Sequence, residues 1–90
     1  MKEDMLRVLV RSLIKLGLKS PEMEREVDRF RRRPELFSCF AKSMRFNFAK
    51  YGFRMELQAP SPDEIDLDTI RYELRDRESN KILISTLCEV

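Results

Sequence analysis

The hydrophobic period of the sequence changes at Gly52, and this change decides the order in which secondary structure can appear. Ahead of Gly52, apolar residues recur at spacings of three and four, the period of a helix face. After it, Phe53, Met55, Leu57 and Ala59 alternate with Arg54, Glu56 and Gln58, the pattern of a half-buried strand. A helix followed across that boundary would turn its apolar residues to solvent. The chain is therefore expected to be an α+β fold with a helical part, residues 1–52, and a β part, residues 53–90, in a single domain. Ninety residues can enclose only one core, and a hydrophobic fraction of 42% is enough to fill it without disulfides or metal.

Three helices are predicted in the first part. Residues 2–16 leave one polar stripe, Glu3, Arg7, Arg11 and Lys15, with members four residues apart, and Gly17 stands where a left-handed terminating residue is wanted. Ser20-Pro21 then supplies an N-cap and a proline at the first helical position. The second helix, Pro21 to Arg32, has a narrow apolar stripe of Met23, Val27 and Phe30, and Pro34 ends it by disfavouring helical geometry at Arg33. The third runs from Pro34 to about Tyr51. Leu36, Phe40, Met44, Phe48 and Tyr51 form its core face, widened by Phe37 and Ala41, and Phe46 lies off that stripe.

The β part predicts three strands. The first ends at Pro60-Ser61-Pro62, and the acidic run Asp63 to Asp68 follows as a loop. Ile70, Tyr72 and Leu74 alternate in a second strand. Glu78-Ser79-Asn80 turns the chain into a third, Ile82 to Cys88, in which Leu83 and Leu87 point away from Ile82, Ile84 and Thr86. The expected architecture is three N-terminal helices packed on one face of a three-stranded antiparallel β-meander, with the second strand central.

Catalysis is poorly supplied. Histidine is absent, which removes the commonest general base and the commonest metal ligand, and with them the usual Ser-His and Cys-His nucleophiles. Two cysteines distant in sequence cannot complete a structural zinc site, and two glycines cannot build a phosphate loop. Asp63 to Asp68 lacks the glycine and distal glutamate of a calcium loop, so it reads as a solvated loop available to cover the chain's arginines. A non-enzymatic binding protein is expected, with no cofactor, metal or small-molecule substrate.

No apolar run reaches the roughly 20 residues of a membrane span, because Arg7, Arg11 and Lys15 interrupt Met5 to Leu18. Glu3 and Asp4 also sit where a signal peptide would carry positive charge. A cytoplasmic location follows as the expectation, with Cys39 and Cys88 as buried free thiols.

Two surfaces carry the candidate function. The first helix is apolar around most of its circumference, more than one side of a small sheet covers. Leu6, Leu9, Leu13 and Leu16, with Leu83 and Leu87 on the outer sheet face, are the candidate interface with another protein or with a second copy of the chain. The other candidate is a basic patch. Residues 25–54 hold nine Lys or Arg against three acids, a net +6, whereas residues 55–90 hold four against nine, a net −5. Arg29, Arg31, Arg32 and Arg33 close the second helix, and Lys42, Arg45 and Lys50 flank Phe46 on the third. Cations with an exposed aromatic suit nucleic acid or an acidic partner, although arginines at a helix C-terminus also answer its dipole. The leading expectation is a regulatory or adaptor protein that works through protein contacts and self-associates, and the alternative is a nucleic-acid-binding module.

Overall fold

Asp4 sets where the first helix begins. In the computed structural model, which describes residues 3–58 and 69–89, Asp4 is extended and its carboxylate accepts the Arg7 N–H at 3.2 Å. That N-cap starts the helix at Met5, three residues later than the apolar pattern predicts, and leaves Glu3–Asp4 free to act as a strand. The element order is β1 (Glu3–Asp4), α1 (Met5–Lys15), α2 (Pro21–Arg32), a 3₁₀ turn (Pro34–Leu36), α3 (Phe37–Lys50), β2 (Phe53–Gln58), β3 (Thr69–Asp76) and β4 (Ile82–Glu89). Ala59, the proline break and the acidic segment Asp63 to Asp68 lie outside the described residues.

Among the described residues the fold is α+β with three helices, but the sheet has four strands and is mixed, in the order β1-β4-β3-β2. The predicted meander is its antiparallel part. Met55 pairs with Leu74 across β2 and β3, and Leu74 pairs with Ile84 across β3 and β4. The fourth strand is the two-residue β1, parallel to the end of β4 with Glu3 opposite Cys88. At the other end of β4, Arg75 faces Ile82 while Leu74 faces Ile84, so Leu83 is an extra residue in a bulge and the expected alternation breaks there.

The helix ends follow their local chemistry. The Ser20 hydroxyl accepts the Met23 N–H at 3.3 Å, with Pro21 next in the chain. Gly17 (φ 69) closes α1 in a Schellman arrangement, with the Leu18 N–H donating to the Leu13 carbonyl at 2.8 Å. Gly52 (φ 87) ends α3 at the predicted change of period. The β3–β4 turn rests on Asp76, whose carboxylate accepts the Glu78 and Ser79 N–H groups, both at 2.9 Å, and Asn80 takes the left-handed conformation (φ 60).

The helices cover one sheet face. Met5, Val8, Leu9 and Leu13 from α1, Met23, Val27 and Phe30 from α2, and Phe40, Met44 and Phe48 from α3 meet Met55, Tyr72, Leu74, Ile84 and Cys88 in one core. Phe30 stacks on Phe40 with ring centroids 4.4 Å apart, joining α2 to α3. Tyr51, predicted as core, is 53% exposed, because α3 has ended before it and it belongs to the turn into β2. No helix among the described residues is long and apolar enough to cross a membrane.

One polar chain runs through this core. The Tyr72 hydroxyl donates to Ser12 Oγ at 3.0 Å, and Ser12 Oγ donates to the Val8 carbonyl at 2.7 Å. Burial pushes the Tyr72 phenol up to about 12. The two hydroxyls are unequal in what their loss leaves behind. Tyr72→Phe keeps the Ser12 donor satisfied and should cost about 0.5–1.5 kcal/mol, whereas Ser12→Ala strands the Tyr72 hydroxyl and should cost about 1–3 kcal/mol. Urea unfolding of the two variants should rank Ser12→Ala as the less stable. The reverse ranking would mean that Tyr72 finds another acceptor.

Candidate functional site

The rotation of α1 decides which of its apolar residues can meet a partner. Leu9 and Leu13, expected at an interface, are 0% and 2% exposed and belong to the core, because they share the inward face with Met5, Val8 and Ser12. Leu6 and Leu16 are half-buried against that core. The residues left outward are Val10, also half-buried, and Ile14, 59% exposed. With Leu6 they form a stripe at four-residue spacing, and it lines a groove bordered by Arg7, Arg11, Lys15 and, from α2, Arg31. Leu87, by contrast, lies opposite Arg71 on the sheet face away from the helices, half-buried, and Leu83 sits in the bulge. The sequence pattern included Val10 and Ile14 in the apolar set of α1. The missing information was the direction in which the helix is turned.

The N-terminal end of this groove is fixed by Glu3. Arg11 donates two hydrogen bonds to its carboxylate, at 2.7 and 3.1 Å, and Thr86 Oγ1 donates a third at 2.8 Å. One carboxylate thus ties β1, α1 and β4 together. Further along, Lys15 Nζ donates to the Leu83 carbonyl at 3.0 Å, on the edge of β4 beyond the reach of β1.

The basic patch is divided by the fold. Arg29 pairs with Glu26 at 3.4 Å, Arg31 with Asp28 at 3.1 Å and Arg33 with Glu35 at 3.2 Å, so three of the four arginines at the end of α2 are matched to acids within three residues. Arg31 borders the α1 groove, while Arg29 lies beside Cys39 and Phe40 of α3. Arg32 is exposed and has no ion-pair partner among the described residues. On α3 the arrangement is different. Arg45 Nε donates to the Met55 carbonyl at 3.4 Å, Lys42 and Lys50 are exposed, and Lys50 Nζ lies 6.0 Å from the centre of the Phe46 ring. Phe46 is 67% exposed and is not a second core contact, since the inward face of α3 is already filled by Phe40, Ala41, Met44 and Phe48.

The thiols differ as well. Cys88 is buried in the core, and burial raises its thiol to about 11. Cys39, expected to be buried, is exposed on the outer side of α3, and neither cysteine forms a disulfide. Among the described residues no group of three or more Cys, Asp or Glu side chains is placed to hold a metal ion. Comparison of the chain with protein-family models, with curated proteins and with solved structures finds no match in any of the three.

The hydrogen bonds from Arg11 and Thr86 lower the Glu3 carboxyl from 4.5 to about 2. A depressed carboxyl contributes stability above its unfolded value, and that contribution is lost as pH falls through the folded one. The tie between β1, α1 and β4 should therefore weaken in the window from about 4.5 down to about 2. The Glu3 side-chain carboxyl resonance, followed against pH, should titrate near the lower limit in the wild type. Arg11→Gln should move the midpoint back toward 4.5. An ordinary wild-type midpoint would mean that the tie does not form in solution.

Proposed function

We propose that this chain is a non-enzymatic adaptor that holds a helical segment of another protein against α1. The observation that carries the reading is the Leu6, Val10 and Ile14 stripe, with Ile14 59% exposed and cations along its border. Leu6 and Ile14 are eight residues apart, about 12 Å along the helix. Two turns of a partner helix match that length, so apolar residues at i, i+4 and i+7 of the partner would meet the stripe.

Charge selects the partner. Glu3 is engaged by Arg11, Asp4 is engaged as the cap of α1, Lys15 is bonded to the Leu83 carbonyl and Arg31 to Asp28, so Arg7 is the groove cation presented to an incoming chain without a partner among the described residues. A helix with Asp or Glu beside its apolar stripe complements this border. Self-association through α1 is the weaker form of the same reading. An antiparallel two-fold pair would set Leu6 against Ile14 of the other copy, but it would also bring Arg7, Arg11 and Lys15 of both copies together.

The test is site-specific photo-crosslinking in nuclease-treated native lysate, with the reactive side chain in place of Ile14 and, as a control on the far turn, in place of Arg77. Adducts specific to position 14 should map to an acidic amphipathic helix of a different protein. Ile14→Glu should weaken binding of that protein by tenfold or more while changing stability by no more than about 0.5 kcal/mol, as its exposure implies. An adduct with a second copy of the chain would move the reading to self-association, and the absence of any adduct specific to position 14 would overturn it.

A further inference from the structure

Two cations without an ion-pair partner among the described residues, Lys42 and Lys50, are on α3, and they flank the most exposed large apolar side chain among those residues. Between Phe37 and Lys50 the helix carries Lys42, Arg45 and Lys50 and no carboxylate. Arg45 is directed to the Met55 carbonyl of β2, whereas Lys42 and Lys50 have no ion-pair partner among the described residues. Lys42, Phe46 and Lys50 follow one another at intervals of four, so they form a single outward strip with Phe46 midway between two lysines whose backbone positions are about 12 Å apart along the axis. Folding does not account for this ring. It is 67% exposed and lies opposite the buried side of the helix.

We infer that this strip binds single-stranded nucleic acid, with one base stacked on Phe46 and flanking phosphates on Lys42 and Lys50. A base needs a flat aromatic face open to solvent, and the phosphates need cations that the protein has not already neutralised. Both are present on one helix face. Lys50 Nζ lies 6.0 Å from the ring centre, so one nucleotide can give its base to the ring and its phosphate to that lysine. The Arg29 to Arg33 cluster meets the second requirement less well, because Glu26, Asp28 and Glu35 take up three of its four guanidinium groups. Among the described residues no groove encloses this strip and no side chain on it is placed to read a base edge, so binding is expected to be independent of sequence.

The strip is also independent of the α1 groove. Strand order places α1 over the β4 side of the sheet and α3 over β2, with α2 between them. Loss of one surface therefore leaves the other intact.

The experiment is fluorescence anisotropy of the full chain with labelled twelve-residue oligo-dT and oligo-U at 20 mM to 200 mM salt. Both strands should bind in the range of roughly 10⁻⁴ to 10⁻⁶ M that non-specific contacts give, with a log-log salt slope of about −1.4 for two phosphates. Lys42→Ala and Lys50→Ala should each flatten the slope by about 0.7. Phe46→Ala should weaken binding roughly fivefold or more while Phe46→Tyr preserves it, since stacking needs the ring and not its identity. Arg31→Ala should leave the slope unchanged. Comparable binding of dT and U assigns the site to single strands in general, and binding of one alone assigns it to that nucleotide, sugar and base methyl together. Indifference to Phe46→Ala, or salt-independent binding, would sink the inference. So would tighter binding to phosphatidylserine vesicles than to either oligonucleotide, because the ring and lysines would then be a lipid contact.

Discussion

The hydroxyl of Tyr72 has to be buried and bonded at once, and much of the molecule is arranged around that requirement. Tyr72 sits on β3, with β2 on one side and β4 on the other, and its ring is fully covered by the helical layer. A buried phenol without an acceptor is costly, and Ser12 supplies one from the middle of α1. A serine at that depth needs a partner of its own, which it finds in the Val8 carbonyl one turn back. Once Ser12 points inward, Met5, Val8, Leu9 and Leu13 must follow, and Leu6, Val10 and Ile14 are left toward α2 and solvent. The exposed stripe is thus a consequence of how the core satisfies one hydroxyl.

The two edges of the sheet are treated alike. An uncovered edge offers unpaired carbonyl and N–H groups to any passing strand. At β4 the strand β1 occupies only the end, and Lys15 reaches the Leu83 carbonyl beyond it, next to a bulge that interrupts the strand. At β2 there is no neighbouring strand beyond it among the described residues, and Arg45 reaches the Met55 carbonyl from α3. In each case a cation from the helix lying over that side donates to a carbonyl of the edge strand. This use of Lys15 and Arg45 shapes both candidate surfaces, since it removes those two side chains from the pool that could meet a ligand freely.

How much of this could be read from the sequence depends on the range of the interaction involved. The cap at Ser20, the glycine stops and the period change at Gly52 act over a few residues, and the structure has them where the sequence indicates. Strand β1 was invisible because two polar residues have no periodicity, and their role depends on β4, more than eighty residues away. The bulge at Leu83 is set by pairing with β3, so alternation alone placed Leu83 with Leu87. Leu9 and Leu13 were indistinguishable from Leu6 until Ser12 fixed the helix rotation. For Phe46 the helical spacing had already set it off the core stripe, and only the filled inward face of α3 decides that it is exposed.

The distribution of charge gives the last constraint. Among the described residues, ion pairs join neighbours in sequence, such as Arg29 with Glu26, Arg54 with Glu56 and Arg75 with Glu73, and Arg11 with Glu3 spans the widest gap at eight residues. Such exposed local pairs contribute little stability. Their larger effect is to neutralise α2 and the outer face of the sheet piece by piece. An acid at a fixed short offset cancels each arginine of α2 it meets, but α3 has no acid to do so. Lys42 and Lys50 therefore keep their fields, and Phe46 between them, 67% exposed, lies outside the core formed by the described residues. A side chain in that position can be altered without touching the core, so its contribution to binding and its contribution to folding are separable by measurement.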